Sequence, residues 1–393
     1  MPSHRATHPI KSIALVTAAV FALAGCTGDS DDGSATEDPS AATEEATAAP
    51  TEEPEATVAP EPPATAEPTA TLAPEATATP PPTPEPPPTP IPAEDLEIVS
   101  FPVPTGSRPH DVAPALDGGV WYTAQRAEAL GYLDPETGET RHIPLGAGSA
   151  PHGVIVDDAG VAWVTDGGLN AIVSVDPADD AVTVYPLPDG SAYANLNTAV
   201  FDGAGVLWFT GQEGIHGRLD PAIGEVEVFD SPRGRGPYGI TATPDGDIYF
   251  ASLAGSYVGA VSPEGAVLEL DPPTAGQGAR RVWSDSEGAI WVSEWNSGQL
   301  SRYIPETGEW TEWPLPGPDP STYAVYVDDV DQVWVSDFNG NAIHRFDPDL
   351  EIFDTFPLPA QPSNVRQILG RPGEIWGAES ANDSLVVIRA AAG

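Results

Sequence analysis

The sequence predicts an all-β protein whose folded part is a seven-bladed β-propeller, and three observations support this prediction. An aromatic residue that follows a short glycine-containing turn recurs seven times, about 42 residues apart. Each repeat holds four short segments in which apolar and polar residues alternate, as they do in half-buried β-strands. No segment shows a sustained helical period. Four strands in each unit of roughly 40 residues is the composition of a propeller blade.

The recurring aromatic residues occupy the same place in every repeat, so we expect them to lie in the cores of the blades rather than in a binding site. They are Trp121, Trp163, Trp208, Tyr249, Trp291, Trp334 and Trp376. The repeat around Tyr249 shows the pattern well, with a short strand, an Asp-Gly turn at 245–246 and then an alternating aromatic strand.

The two ends of the repeat region predict how the ring closes. The last repeat supplies only three strands and stops near Arg389. Residues 96–104 precede the first repeat and resemble residues 350–359, the fourth strand of the sixth repeat. We therefore predict that the N-terminal strand completes the seventh blade within a propeller spanning 96–393, because this pairing covers two sheet edges that would otherwise stay open.

Residues 1–25 read as the signal peptide of a bacterial lipoprotein. A basic start precedes an apolar run at 13–23 that is too short to span a bilayer, which needs about 20 apolar residues. The run ends in Leu-Ala-Gly-Cys, which resembles a lipobox, and Cys26 is the only cysteine in the chain. We expect lipidation of Cys26 and a lipid-anchored, extracytoplasmic location in the cell envelope. The alternative is an ordinary signal peptide that contains a cysteine.

Residues 26–95 are rich in Pro, Thr, Glu and Ala and are expected to form a disordered linker, since they hold too few apolar side chains to offset the entropy of ordering. The proline run at 80–88 is typical of an extended, polyproline-like spacer. The linker would hold the propeller away from the membrane.

Composition excludes several chemistries and partners. Once Cys26 is acylated no thiol remains, and Lys11, the only lysine, leaves with the signal peptide. Thiol nucleophiles, Schiff bases and P-loop lysines are therefore excluded. The net charge of −44 argues against nucleic acid and against anionic membrane surfaces as partners, apart from the lipid on Cys26. We expect a monomer that takes a small molecule, a cyclic peptide or a protein at the mouth of the propeller.

Two sets of equivalent positions are expected to line that mouth. The first set, at the start of the first strand of each blade, is His110, His152, Asn197, Tyr238, Arg280, Tyr323 and Arg366. The second set, at the end of the second strand, is Ala124, Asp166, Gly211, Ser252, Glu294, Asp337 and Glu379. Within the hairpins we expect His152 opposite Asp166, Arg280 opposite Glu294 and Arg366 opposite Glu379.

These residue types predict two kinds of role. His110 and His152, beside Asp166, are candidates for catalytic residues, since imidazoles and a carboxylate can supply a general base and a metal ligand. Six polar residues are candidates for substrate contacts: Asn197, Tyr238, Arg280, Tyr323, Asp337 and Arg366. The alternative is that a propeller mouth is wet and therefore polar without any such role.

The repeat as a whole is similar to the streptogramin B (virginiamycin B) lyase family. The resemblance rests on Pro-His-Gly-Val at 151–154 with Val-Ala-Trp-Val-Thr-Asp at 161–166, and on Tyr-Gly-Ile-Thr at 238–241 with Pro-Asp-Gly at 244–246. It extends over residues 96–389. It implies a magnesium-dependent elimination that opens a cyclic depsipeptide at its ester without water. This reaction needs a base for the proton α to the ester carbonyl and a cation, held by carboxylates, that polarises the carbonyl.

The resemblance implies different site residues depending on how the seven blades are aligned with those of the family, either in linear order or rotated around the ring. The family has histidines at the Pro-His position of its last two blades, and in linear order Tyr323 and Arg366 stand there, with Asn364 and Glu379 nearby.

Rotating the ring by two blades instead brings His110 and His152 to these positions, with Asp166 at one carboxylate position and Ala150 at the other.

Three functions follow as hypotheses. The first is a lyase acting on a cyclic peptide or lactone, with His152 as base and Asp166 with Glu379 or Glu294 as Mg²⁺ ligands. The second is a non-catalytic binding propeller at the cell surface for a peptide, a glycan or an envelope protein. The third resembles a gluconolactonase and would bind Ca²⁺ through Asn197, Asp166 and Glu294.

Overall fold

The computed structural model describes residues 89–391, in which all regular structure except two short 3-10 turns is β-strand. The predicted signal peptide, Cys26 and the linker up to residue 88 lie outside these described residues. None of the helices in the described part is long and apolar enough to cross a membrane.

Within residues 89–391, 28 strands form seven antiparallel sheets of four strands, which confirms the predicted seven-bladed propeller. The first strand in the chain is β1 (Leu96–Pro102). Blade 1 contains β2 (Pro109–Pro114), β3 (Val120–Ala124), β4 (Ala129–Leu133) and β5 (Thr140–Pro144). Blade 2 contains β6 (Pro151–Val156), β7 (Ala162–Asp166), β8 (Ala171–Val175) and β9 (Val182–Pro186). Blade 3 contains β10 (Leu196–Phe201), β11 (Leu207–Gly211), β12 (Ile215–Asp220) and β13 (Glu225–Asp230).

The remaining blades follow the same order. Blade 4 contains β14 (Pro237–Ala242), β15 (Ile248–Ser252), β16 (Tyr257–Val261) and β17 (Val267–Leu270). Blade 5 contains β18 (Ala279–Ser284), β19 (Ile290–Glu294), β20 (Gln299–Ile304) and β21 (Glu309–Pro314). Blade 6 contains β22 (Thr322–Val327), β23 (Val333–Asp337), β24 (Ala342–Asp347) and β25 (Ile352–Pro357). Blade 7 contains β26 (Val365–Arg371), β27 (Glu374–Glu379), β28 (Ser384–Ala390) and β1. The 3-10 turns are Ala93–Asp95 and Gln125–Ala127.

The repeated aromatic residues are buried, as predicted, and a recurrent hydrogen bond explains part of the repeat. In four blades an aspartate six positions before the tryptophan accepts the indole N–H. The pairs are Trp163 with Asp157, Trp208 with Asp202, Trp291 with Asp285 and Trp334 with Asp328. The other carboxylate oxygen of each aspartate accepts backbone N–H groups of the turn between the first two strands. One residue thus ties the turn to the blade core, and it satisfies the polar atom of a buried tryptophan.

The ring closes as predicted, because β1 pairs with β28 from Leu96 opposite Ala390 to Pro102 opposite Ser384. Phe101 packs on Trp376 with ring centroids 5.6 Å apart. Residues before β1 also contact the propeller, since the carbonyl of Ile91 accepts a hydrogen bond of 2.6 Å from Arg345. Strand β1 runs from the face opposite the mouth towards the mouth, where β2 begins.

The register predicted for the first hairpins of blades 2, 5 and 7 holds through the body of each hairpin but is wrong by one residue at the mouth. In all seven blades the first strand carries one extra residue near the mouth, a β-bulge. Asp166 therefore lies opposite Pro151, Glu294 opposite Ala279 and Glu379 opposite Val365. The neighbours predicted for these acids were His152, Arg280 and Arg366. A shift of one residue matters because successive side chains point to opposite faces of a strand.

The closing strand gives a prediction about stability. Replacing Phe101 with alanine removes an aromatic side chain from its contact with Trp376. We expect this to lower the free energy of unfolding by about 2 kcal/mol. The value is smaller than that for a fully buried phenylalanine because Phe101 is only half-buried. Denaturant unfolding followed by tryptophan fluorescence measures this change. Leu268→Ala in the outer strand of blade 4 is the control, since Leu268 is 66% exposed and its loss should cost less than about 0.5 kcal/mol. Equal losses for both variants would argue that closure does not limit stability.

Candidate functional site

The first set of predicted mouth residues converges around the axis of the propeller. Each member stands in or beside the bulge of the innermost strand of its blade, and these strands pack against one another around the ring. His110, His152, Asn197, Tyr238 and Tyr323 are buried there, whereas Arg280 and Arg366 are half-buried.

His110 and His152 form a stacked pair with ring centroids 3.8 Å apart. His110 Nδ1 lies 2.7 Å from the carboxylate of Asp111 and, as the donor of a neutral imidazole, donates to it. Burial, and then Arg366, Arg281 and Arg280, hold the pKa of His110 well below its usual value.

Burial is also the main cause that lowers the pKa of His152, with His110 next, and His152 Nδ1 is buried without a hydrogen-bond partner. Both rings are therefore neutral at pH 7, and both are weak bases.

Beneath the histidines an ion pair crosses the channel. Arg281 of blade 5 reaches Asp111 of blade 1, with Nη2 3.0 and 3.2 Å from its two carboxylate oxygens. The same guanidinium donates to Thr198 of blade 3 at 2.6 Å. Arg281 and Asp111 are both buried. The pair and its bond to Thr198 therefore join blades 1, 3 and 5.

A second group across the ring combines aromatic rings and arginines. The hydroxyls of Tyr238 and Tyr323 are hydrogen-bonded to each other. The guanidinium of Arg280 lies 3.5 Å from the ring centroid of Tyr323 and 4.4 Å from that of Trp295. Burial alone would raise the pKa of Tyr323, but Arg280 and Arg366 outweigh it and lower that pKa to about 8. Burial raises the pKa of Tyr238.

The predicted carboxylates serve turns within their own blades. Asp166 accepts hydrogen bonds from the backbone N–H groups of Ala150 and Leu169 at 2.8 and 2.9 Å. Asp337 likewise accepts from the backbone N–H groups of Ser321 and Asn339. Neither side chain is bonded to the histidine pair.

Glu294 is equally local. It accepts hydrogen bonds from Ser297 and Ser301 at 2.7 and 2.8 Å, and burial raises its pKa to about 7. The carboxylate of Glu379 is buried without a hydrogen-bond partner, and burial raises its pKa.

The residues present do not fit a bound Mg²⁺ or Ca²⁺ in the predicted arrangements. Nowhere in residues 89–391 do three His, Cys, Asp or Glu side chains come together as a metal site. Asp166, Glu294 and Glu379 belong to blades 2, 5 and 7, so they do not share one site. Asp166 and Glu294 are engaged within their own blades, whereas both carboxylate oxygens of Glu379 are buried without a hydrogen-bond partner. Asn197, needed for the calcium alternative, accepts a hydrogen bond from Thr198 instead.

Four charged residues of the mouth were missed from the sequence. Asp111 directly follows His110, and Arg281 directly follows Arg280. A charged residue inside the innermost strand of a blade was the signal that could have identified them. Arg108 and Arg126 lie in loops that no repeat pattern singles out. Arg108, Arg126 and Arg366 line a cavity of about 320 Å³ at the junction of blades 7 and 1.

The histidine pair predicts a pH dependence. In the unfolded chain a histidine has a pKa of about 6.5 and binds a proton below it, whereas the buried, lowered-pKa rings of His110 and His152 do not. Stability is therefore complete above about pH 7 and falls as the pH drops below 6.5. His152→Gln should reduce this slope by up to about 1.4 kcal/mol per pH unit, measured as unfolding free energies between pH 5 and 7.5. Parallel profiles for wild type and variant would contradict the analysis.

Tyr323 predicts a second titration. The folded protein should show one phenol that ionises near pH 8, seen in ultraviolet absorbance, because Arg280 and Arg366 stabilise the phenolate. The step should vanish in Tyr323→Phe and move to higher pH in Arg366→Gln. Tyr193→Phe is the control, since Tyr193 is 60% exposed and its loss should leave the step unchanged. A step that survives in Tyr323→Phe would show that another tyrosine is responsible.

Solved structures with this fold include enzymes and binding proteins. A selenomethionine-substituted virginiamycin B lyase from Staphylococcus aureus is 19% identical with a TM-score of 0.69, covering 75% of this chain and 99% of that one. A streptogramin B lyase is 22% identical with a TM-score of 0.69, covering 75% and 98%. YCF48 bound to a D1 peptide is 14% identical with a TM-score of 0.60, covering 76% and 97%. At these identities the likeness shows the fold alone.

No curated protein is significantly similar to the chain in sequence. The sequence profile of the virginiamycin B lyase family, however, matches residues 92–306 and, in a second overlapping alignment, residues 159–391. Together the two alignments span the whole propeller, and the overlap follows from the internal repeat. The chain therefore belongs to the virginiamycin B lyase family.

Proposed function

We propose that this member of the family is a ligand-binding propeller that does not catalyse the ring-opening elimination. The observation that carries the proposal is the direction of the carboxylates. Asp166 and Glu294 are engaged in turns of their own blades, and Asp111, the carboxylate beside the histidine pair, is already bonded to Arg281. The elimination needs a carboxylate-held cation beside a base, and the described residues supply no such pair.

The acid–base groups of the mouth also favour binding over proton abstraction. His152 is neutral, but its lowered pKa makes it a weak base, and Arg281 and Arg366 disfavour the imidazolium that would form. When the blades are aligned with those of the family in linear order, Arg366 stands at the position of the base. A guanidinium stays protonated at neutral pH and therefore cannot accept the proton. The competing function is the lyase with His152 as base, to which family membership gives some weight.

The composition of the mouth resembles that of binding surfaces. Arg280 lies against Trp295 and Tyr323, and Tyr323 stacks on Phe338 with ring centroids 4.7 Å apart. Tryptophan, tyrosine and arginine carry most of the energy at protein interfaces, because they combine a large apolar surface with a polar group. YCF48, a structural relative, is bound to a peptide in its solved structure. A peptide, a glycan or an envelope protein is accordingly the class of ligand proposed.

We further propose that the propeller is displayed at the cell envelope through a lipid on Cys26. The support is the Leu-Ala-Gly-Cys sequence that follows the short apolar run at 13–23 and ends at the one cysteine of the chain.

The test is an assay with a streptogramin B antibiotic and Mg²⁺ on the purified propeller, followed by mass spectrometry. We expect the antibiotic to remain cyclic, because no cation site stands beside His152. A ring-opened product of unchanged mass, abolished both by EDTA and by His152→Ala, would overturn the proposal and establish a lyase. Ring opening that persists in His152→Ala would point to a contaminating enzyme, and a repeat with protein free of it would then decide.

A further inference from the structure

The arginines of this chain fall into two groups. In residues 89–391 eight arginines have a carboxylate oxygen within 3.2 Å, as expected in a chain with 59 acidic and 15 basic residues. The pairs are Arg141–Asp180, Arg218–Glu227, Arg233–Glu269, Arg235–Glu213, Arg281–Asp111, Arg345–Asp354, Arg371–Glu374 and Arg389–Glu97.

Three arginines at the mouth lack a carboxylate partner among the described residues. Arg126 is exposed and its side chain makes no hydrogen bond or ion pair there. Arg366 donates only to neutral hydroxyls, to Ser380 at 2.8 Å and to Tyr323 at 3.3 Å. Arg280 packs on aromatic rings, and its Nε is buried without a partner. Away from the mouth, Arg302 also lacks such a partner. With carboxylates in fourfold excess, three such arginines grouped at the mouth indicate a site kept free for an anion.

Two of these arginines line one cavity. The cavity of about 320 Å³ lies between the loop that joins β27 to β28, the start of β26, and the loop that joins β1 to β2. Its charged lining groups are Arg108, Arg126, Arg366 and Asp383, so three positive charges less one negative leave a formal charge of +2.

The carboxylate of Asp383 is already occupied by the protein. It accepts hydrogen bonds from the backbone N–H groups of Gly106 at 2.8 Å and Arg108 at 2.7 Å. These bonds fix the loop between β1 and β2 and hold Arg108 in the wall of the cavity. The one acidic group of the lining is thus used to build the site.

We infer that this cavity binds a small oxyanionic group, a carboxylate or a phosphate, of the ligand. The inference rests on the proposed function and names the chemistry of that ligand. The guanidinium fork matches the paired oxygens of both groups, and hydrogen bonds to charged groups are roughly twice as strong as neutral ones. The volume suits a group the size of one sugar acid or one amino-acid residue. The chain as a whole carries a net charge of −44, so the positive lining of this cavity stands out as a place where an anion is favoured.

The test is a titration of the propeller at low ionic strength with three anions. These are glucuronate, an acetylated dipeptide with a free carboxylate, and glucose 6-phosphate. Glucose and the dipeptide amide are the neutral counterparts. We expect saturable, salt-sensitive binding of at least one anion, observed by calorimetry or by shifts in the NMR spectrum, and none of its neutral counterpart. Which anion binds most tightly identifies the source of the oxyanion.

Three single variants make the test specific. Arg126→Gln and Arg366→Gln should each weaken binding about tenfold or more, since each removes a charged hydrogen bond. Arg302→Gln is the matched control, because Arg302 also lacks a carboxylate partner in the described part but lies on Trp291 and Trp313, away from the mouth. It should leave affinity unchanged. Unfolding midpoints confirm that all three variants are folded.

Two results would overturn the inference. One is that no anion binds, or that each binds no better than its neutral counterpart. The other is that the Arg126 and Arg366 variants bind as tightly as the Arg302 variant. Failure here leaves the proposed function standing if the antibiotic stays intact. Ring opening of the antibiotic would instead overturn the proposed function, whatever the anions do.

Discussion

The structure depends on one constraint, that seven sheets with open edges must form a closed ring. Pairing of β1 with β28 satisfies it, since the first strand of the fold becomes the outermost strand of the last blade. The same pairing obliges the chain to cross the mouth from Pro102 to Pro109 before blade 1 can start. Asp383 holds that crossing loop through two backbone N–H groups. The arginine-lined cavity is therefore a product of ring closure, and it exists only at the junction of blades 7 and 1.

The electrostatics of the mouth follow from what the inner strands carry. A buried ion pair is tolerated when each partner has further hydrogen bonds, and this pair meets the condition, since Arg281 also donates to Thr198 and Asp111 also accepts from His110. Burial is the main cause that lowers the pKa values of His110 and His152, and the charges of Arg281 and Arg366 act in the same direction. The arginines, with Arg280, also lower the pKa of Tyr323 against the effect of its burial. Burial and the positive charges of the mouth thus together keep the imidazoles neutral.

Sequence reasoning succeeded where the physical signal repeats. The period of the aromatic residues, the alternation of the strands and the missing fourth strand predicted the blades, their number and their closure. The first two of these signals are averaged over seven copies, so local irregularities do not hide them, and the missing strand is recognised by comparison with the complete repeats. The candidate residues at the start of the inner strands were identified by the same averaging, and the structure brings them together at the axis.

The site could not be completed in this way because its details are exceptions to the repeat. A single extra residue in each first strand reverses which neighbours face one another, and alternation alone does not reveal it. The bulge directs His152 towards the axis, and Asp166 is bonded to the turn of its own blade instead. Asp111 and Arg281 form an ion pair although they are 170 positions apart in the sequence, and no local sequence pattern predicts this contact. The blades set where side chains point, whereas the chemistry of the mouth depends on which few positions depart from the blade pattern.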